Sequence, residues 1–210
     1  MTKVKLCGFS RDADIKGANS LKPDYIGFVF AKKSKRYVSK EEAIRLKSKL
    51  DKDIKVVGVF VDEKIETILE YLEKNIIDIP QLHGKEDNNY IEKLKKYTDK
   101  PIIKAFQIKK RDDLESIEAC KADYLLLDAG AGDGKTFNWQ WLENVKRPYF
   151  LAGGLNCNNV TSAIDTVEFH NGNLYAVDVS SGIETNGVKD YKKMKTFIDT
   201  VRRKSKEKKL

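Results

Sequence analysis

The sequence predicts an α/β fold, a closed eight-stranded parallel (β/α)8 barrel, and three observations predict it. A short apolar run recurs eight times: Val4–Cys7, Tyr25–Phe30, Val56–Val61, Ile77–Leu82, Ile102–Phe106, Tyr124–Asp128, Tyr149–Leu151 and Tyr175–Val179. The runs start 21 to 31 residues apart, the length of a strand plus a crossover helix. Runs such as VVGVFV and YLLLDA are apolar on both faces, as parallel strands covered by helices should be. An open doubly wound sheet uses similar units, but eight evenly spaced ones favour closure into a TIM barrel. Chemistry in that architecture sits where strands end, so the polar residues just after each run are read first.

Between the runs, Lys40–Leu50, Glu63–Lys74, Asn88–Tyr97 and Asp113–Cys120 have helical spacing. Leu69 with Leu72, and Leu94 with Tyr97, give inward stripes. Ser39 ahead of Glu41 and Glu42 reads as a helix start with acids in the first turn. A last helix begins near Asp190 and lays Tyr191, Met194, Phe197, Ile198 and Val201 along one side, over the outer wall of the closing strand. Ala31–Val38 and Ala129–Asn138, rich in charge or glycine, are expected to be mobile loops. No long linker interrupts the series, so residues 1–201 are expected to form one domain, followed by a basic tail over 202–210.

A domain of this size buries roughly 70% of the surface its unfolded chain exposes and needs no disulfide or metal to hold it. Cys7, Cys120 and Cys157 follow no framework spacing, which suggests a reducing compartment. The start MTKVKLC lacks the apolar stretch of a signal peptide, and no window reaches the roughly 18 apolar residues of a spanning helix. A soluble, cytoplasmic protein without membrane partners is expected. The formal charge is +8, and +5 of it falls in Arg202–Leu210, RRKSKEKKL. That tail has no interleaved aromatics and no binding motif, so it reads as a solvated helix end and no nucleic-acid partner is expected.

Cys7 ends the first run, immediately before Gly8, and shares a face with Lys5. A buried cysteine is commonly a small hydrophobe, whereas an ammonium nearby would favour the thiolate and make it a base. Asp128 closes the sixth run, where a carboxylate is costly unless paired or facing an open mouth. It either caps a loop or serves as a general acid. Asp178, in AVDVSSG, lies on the same side of its strand as Ser180 and either pairs structurally or orients sugar hydroxyls. Gly153–Gly154 and Ser180–Ser181–Gly182 follow the seventh and eighth runs. Two such loops on adjacent strands commonly hold a phosphate, because glycine lets backbone amides approach it. Gly130, Gly132 and Gly134 precede Lys135 without forming a GxxxxGK[ST] loop, so a flexible cover over a sugar is the better use. Arg36, in KSKRYVS, is either a surface arginine or a two-pronged grip on a carboxylate or phosphate. Gln81 and His83 share a side at the end of the fourth run, as barrel-top or supporting residues. His170 is the other histidine, and no cluster has metal-ligand spacing, so no metal is expected. No dinucleotide fingerprint follows the first run.

The segments KLCGFSRDAD, DYIGFVFAKKSKRYVS, VVGVFVDE, QLHG, LLLDAGAGDGKTFNW, FLAGGLNCNNV and YAVDVSSGIETNGVKD follow in that order over residues 3–200. Together they resemble the phosphoribosylanthranilate isomerase family of tryptophan biosynthesis. The resemblance implies Cys7 as general base and Asp128 as general acid. It sets Arg36 against the anthranilate portion of the substrate, Asp178 near the ribose hydroxyls, and Gly153–Gly154 with Ser180–Gly182 at the phosphate. It implies a cofactor-free Amadori rearrangement of N-(5-phosphoribosyl)anthranilate to 1-(2-carboxyphenylamino)-1-deoxyribulose 5-phosphate, by a monomer. Phe9, Ser10 and Arg11 depart from the smaller apolar residue, threonine and amide frequent in the family, and are expected to tune loop packing. An indole-glycerol-phosphate synthase would show a lysine- and glutamate-rich catalytic pattern, and a pentose-phosphate epimerase would show metal ligands. A noncatalytic phosphate-binding protein has no use for Cys7 with Asp128.

Overall fold

Each apolar run forms a strand in the computed structural model, which describes residues 1–129, 136–170 and 172–207. The strands are β1 (Lys3–Cys7), β2 (Tyr25–Val29), β3 (Lys55–Phe60), β4 (Ile79–Leu82), β5 (Ile103–Gln107), β6 (Tyr124–Asp128), β7 (Tyr149–Leu151) and β8 (Leu174–Val179). They follow one another in chain order in a closed barrel, the predicted (β/α)8 architecture. β4 starts two residues later than its apolar run, and the reason is local. The N–H groups of Ile76 and Ile77 both donate to the Tyr71 carbonyl, closing the end of the preceding helix instead of joining the sheet.

By contacts the chain divides into two compact units. One comprises Cys7–Ala105 and Ala119–Tyr124. In it β2, β3, β4 and β5 pair in parallel, with Val29 opposite Val59, Val59 opposite Gln81, and Gln81 opposite Ile103. The helix α1 (Asp12–Leu21) leads into β2, and α2 (Lys40–Lys47), α3 (Ile65–Glu73) and α4 (Asn88–Lys95) cross between the strands. α2 begins as the sequence predicts: Ser39 Oγ accepts from the Glu42 N–H at 3.2 Å, with two acids in the first turn. α1 carries no stripe singled out in the sequence, yet it is well started. Asp14 accepts from the N–H groups of Ser10 and Arg11 at 3.1 Å each and pairs with the Arg11 guanidinium at 2.6 Å. Phe9 is fully buried beside them. α3 buries Ile68, Tyr71 and Leu72, and α4 buries Ile91 and Leu94. Tyr97 corrects the expected stripe: α4 stops at Lys95, so Tyr97 lies past the helix and is 71% exposed.

The other unit comprises Met1–Leu6, Phe106–Glu118 and the chain from Leu125 onward. Here β6 pairs with β7, β7 with β8 and β8 with β1, all parallel, with Lys5 opposite Asp178. The helix expected over Asp113–Cys120 is instead a 3-10 helix, Arg111–Ile117. Its apolar residues Leu114 and Ile117 repeat every third position, and three residues per turn stack such a repeat on one face. α5 (Val160–Phe169) buries Val160, Ala163, Ile164 and Val167. α6 (Tyr191–Glu207) buries Met194, Phe197, Ile198 and Val201, as predicted, whereas Tyr191 at its exposed start does not join them. The helix carries on into the basic tail. Lys204 pairs with Asp165 at 2.6 Å, and buried Ser205 accepts from the Thr2 N–H at 3.3 Å. Residues 208–210 of that tail lie outside the described residues. Among the described residues no helix is long and apolar enough to cross a membrane.

Candidate active site

Cys7 lies at the end of β1 and is buried in an apolar cluster with Val29 and Val59, against Ala31. Neither it nor Cys120 nor Cys157 forms a disulfide. Two glycines determine how it sits. Gly8 takes φ +85°, which turns the chain sharply away from the strand. The N–H groups of Gly8 and Phe9 then both donate to the Gly27 carbonyl, at 2.9 and 3.0 Å. Gly27 also lacks the side chain that would crowd the thiol, since a Cβ there would stand 2.6 Å from Cys7 Sγ. Gly27 was not singled out in the sequence. Its signal was a glycine in the middle of an otherwise apolar strand, YIGFV, which marks a close approach.

Arg36 lies half-buried in the turn after β2. That turn is pinned where the Val38 N–H returns to the Val29 carbonyl at 3.0 Å, and the Arg36 N–H donates to Ser34 Oγ at 3.1 Å. Gln81 and His83, at the end of β4, are brought together, with Gln81 Nε2 3.0 Å from His83 Nδ1. Gln81 is buried, and its Oε1 has no hydrogen-bond partner. An unpaired buried acceptor costs about 1–3 kcal/mol, which a ligand donor would offset.

In the other unit, Asp128 is half-buried at the end of β6, where its carbonyl accepts from the Ile108 N–H at 2.7 Å. Gly153, at φ +85°, passes close by. A Cβ on it would run into the Ala129 amide and stand 2.9 Å from Asp128 Oδ1, so this glycine clears room around the carboxyl group. Gly154, at φ +66°, turns its carbonyl to Asn159 Nδ2 at 2.9 Å and Asn156 Nδ2 at 3.3 Å. Ser181 opens a 3-10 turn, Ser181–Ile183, directly after β8. Gly182 in that turn abuts the carbonyl of Leu155, leaving no space for a side chain. The loops after β7 and β8 are therefore packed together, as a shared anion site requires.

Lys5 is completely buried and donates to Asp178 Oδ1 at 2.9 Å. The pairing follows from register, because the two residues stand opposite each other on β1 and β8. The ammonium expected near Cys7 is thus engaged by a carboxylate. Removing one partner of a buried ion pair costs about 3–5 kcal/mol, so Asp178 is firmly held. Cys157, after β7, donates to the Lys193 carbonyl at 3.4 Å, and burial pushes its thiol pKa up. Gly130, Gly132, Gly134 and Lys135, read as a cover over a sugar, lie outside the described residues. Among the described residues no three His, Cys, Asp or Glu side chains are grouped as a metal cage.

Comparison with known proteins bears on the whole of this arrangement. The family model described as N-(5'phosphoribosyl)anthranilate (PRA) isomerase matches residues 4–200. An N-(5'-phosphoribosyl)anthranilate isomerase of Thermoanaerobacter sp. (strain X514) is 49% identical over 209 residues, covering 96% of this chain and 98% of its own. The crystal structure of phosphoribosyl anthranilate isomerase from Thermotoga maritima superposes with a TM-score of 0.86 at 36% identity, covering 97% of this chain and 100% of its own. A crystal structure of the isomerase in complex with reduced 1-(o-carboxyphenylamino)-1-deoxyribulose 5-phosphate gives a TM-score of 0.84, also at 36% identity, with the same coverage. The chain belongs to the phosphoribosylanthranilate isomerase family.

Proposed function

We propose that this protein catalyses the Amadori rearrangement of N-(5-phosphoribosyl)anthranilate to 1-(2-carboxyphenylamino)-1-deoxyribulose 5-phosphate, an aldose-to-ketose isomerisation. The observation that carries the reading is a family match over residues 4–200 in which Cys7 and Asp128 each close a barrel strand. The solved relative holding a reduced form of that ketose product supports the substrate class.

Asp128 gives a proton to the furanose ring oxygen as the ring opens to an imine. The Cys7 thiolate removes the proton from the adjacent sugar carbon. The enolamine formed tautomerises to the ketose, so atoms and electrons balance within one molecule. The anthranilate nitrogen takes up the developing charge, and the chemistry calls on no metal or organic cofactor. Arg36 grips the anthranilate carboxylate, and Asp178, held by Lys5, orients ribose hydroxyls. Gly153, Gly154, Ser180, Ser181 and Gly182 bind the phosphate, and Gly153 also clears the approach to Asp128. Gln81 offers its unpaired oxygen from a second, supporting position beside His83. Remote phosphate binding then orients the reacting carbon for both proton transfers. Residues 1–201 act as one catalytic domain of a cytoplasmic monomer, without a nucleic-acid partner.

The test is turnover of freshly made phosphoribosylanthranilate, followed by loss of its fluorescence with a chelator present. Conversion to the ketose, identified by NMR, is the expected result. Absence of conversion at any substrate concentration would overturn the assignment.

A further inference from the structure

Lys189 lies outside every role assigned so far, yet its ammonium is almost wholly buried, with its side chain 2% exposed. The sequence Glu184–Thr185–Asn186–Gly187–Val188–Lys189 explains how it got there. Asn186 and Gly187 take φ +52° and +78°, the left-handed pair of a tight hairpin turn. They join β9 (Glu184–Thr185) to β10 (Val188–Lys189), with Lys189 directly opposite Glu184. Alternation sends Val188 outward and Lys189 inward. The hairpin is docked at its base by Asp190, which accepts from Thr185 Oγ1 at 2.8 Å and from the Lys192 and Lys193 N–H groups. The Thr185 hydroxyl and those N–H groups hold the Asp190 carboxyl below the usual carboxylate range.

From this position Lys189 Nζ reaches back to the end of β8. It donates to the Ser180 carbonyl at 3.0 Å, to Ser180 Oγ at 3.3 Å and to Glu184 Oε1 at 2.6 Å. In a trans peptide the carbonyl and the following N–H point in opposite directions, and among the described residues no peptide is cis. Anchoring the Ser180 carbonyl on Lys189 therefore aims the Ser181 N–H away from the hairpin. We propose that Lys189 is a positioning residue for the phosphate loop: its buried ammonium fixes the Ser180–Ser181 peptide so that the Ser181 amide presents its hydrogen to the substrate's phosphate. The hairpin over Glu184–Lys189 works as a strap that holds the amide in place before the ligand arrives. This rests on the phosphate assignment of Ser180–Gly182 given above.

The experiment compares the wild-type chain with Lys189→Met, using inorganic phosphate and anthranilate as competing probes of substrate turnover. Loss of the anchor should raise KM about tenfold and weaken inhibition by inorganic phosphate to a similar extent, while kcat falls no more than about twofold. Inhibition by anthranilate, which carries no phosphate, should stay put, and Lys189→Arg should recover most of the loss. Lys189→Gln replaces Lys189→Met if the latter does not fold, with the same expectation. A variant that loses thermal stability but keeps both KM and phosphate inhibition would overturn the positioning role alone. A wild-type enzyme that inorganic phosphate does not inhibit competitively would overturn the phosphate assignment itself, and the proposal with it.

Discussion

Cys7 and Ser180 follow from strands of the same barrel type but are held by opposite means. Around Cys7 the constraint is shape. Val29, Val59 and Ala31 enclose the thiol, and Gly27 gives it room by having no side chain. Around Ser180 the constraint is direction. A buried lysine grips its carbonyl and hydroxyl, and Gly182 sits flush against the Leu155 carbonyl. The contrast matches the two proposed tasks. A base that must meet one carbon needs a fixed position in apolar surroundings, whereas a phosphate site needs N–H dipoles aimed in advance.

The two modes of support should fail differently when broken. Gly27→Ala forces the Cys7 thiol to move, and a displacement near 1 Å of a reacting group can cost about a hundredfold in rate. Steady-state kinetics should therefore show kcat down about a hundredfold with KM nearly constant; a change in KM alone would mean that Gly27 does not set the thiol. Gly182→Ala separates the two phosphate loops and should do the reverse, raising KM about tenfold with a smaller loss in kcat. An unchanged KM there would remove the packing of the loops as a cause of phosphate affinity. The Lys189 substitutions sharpen the same contrast, because they disturb the aim of an amide without filling space.

Much of the fold was legible because parallel strands covered on both sides must be apolar throughout, and YLLLD and YFL can be little else. The candidate site residues stood out for the same reason, since Cys7, Asp128 and Asp178 interrupt or end apolar runs. Helices were harder. Leu114 and Ile117 fit a spacing of three that suits α and 3-10 turns alike, and Tyr97 continued a stripe that its helix did not. Gly27 and Lys189 escaped notice because their work lies in what they touch. Nothing in YIGFV says that a cysteine on another strand needs the space. The Asn186–Gly187 turn was a visible hairpin signal, but only the register shows that it buries Lys189 beneath Ser180.

The most direct test of the proton-transfer roles is kcat for Cys7→Ser and Asp128→Asn, measured beside the wild-type chain on freshly made phosphoribosylanthranilate. Serine is a poor base at neutral pH and asparagine cannot give up a proton, so each variant should lose about a thousandfold in kcat while keeping its fold by circular dichroism. Turnover by both variants within about tenfold of wild type would contradict the assignment of Cys7 as base and Asp128 as acid.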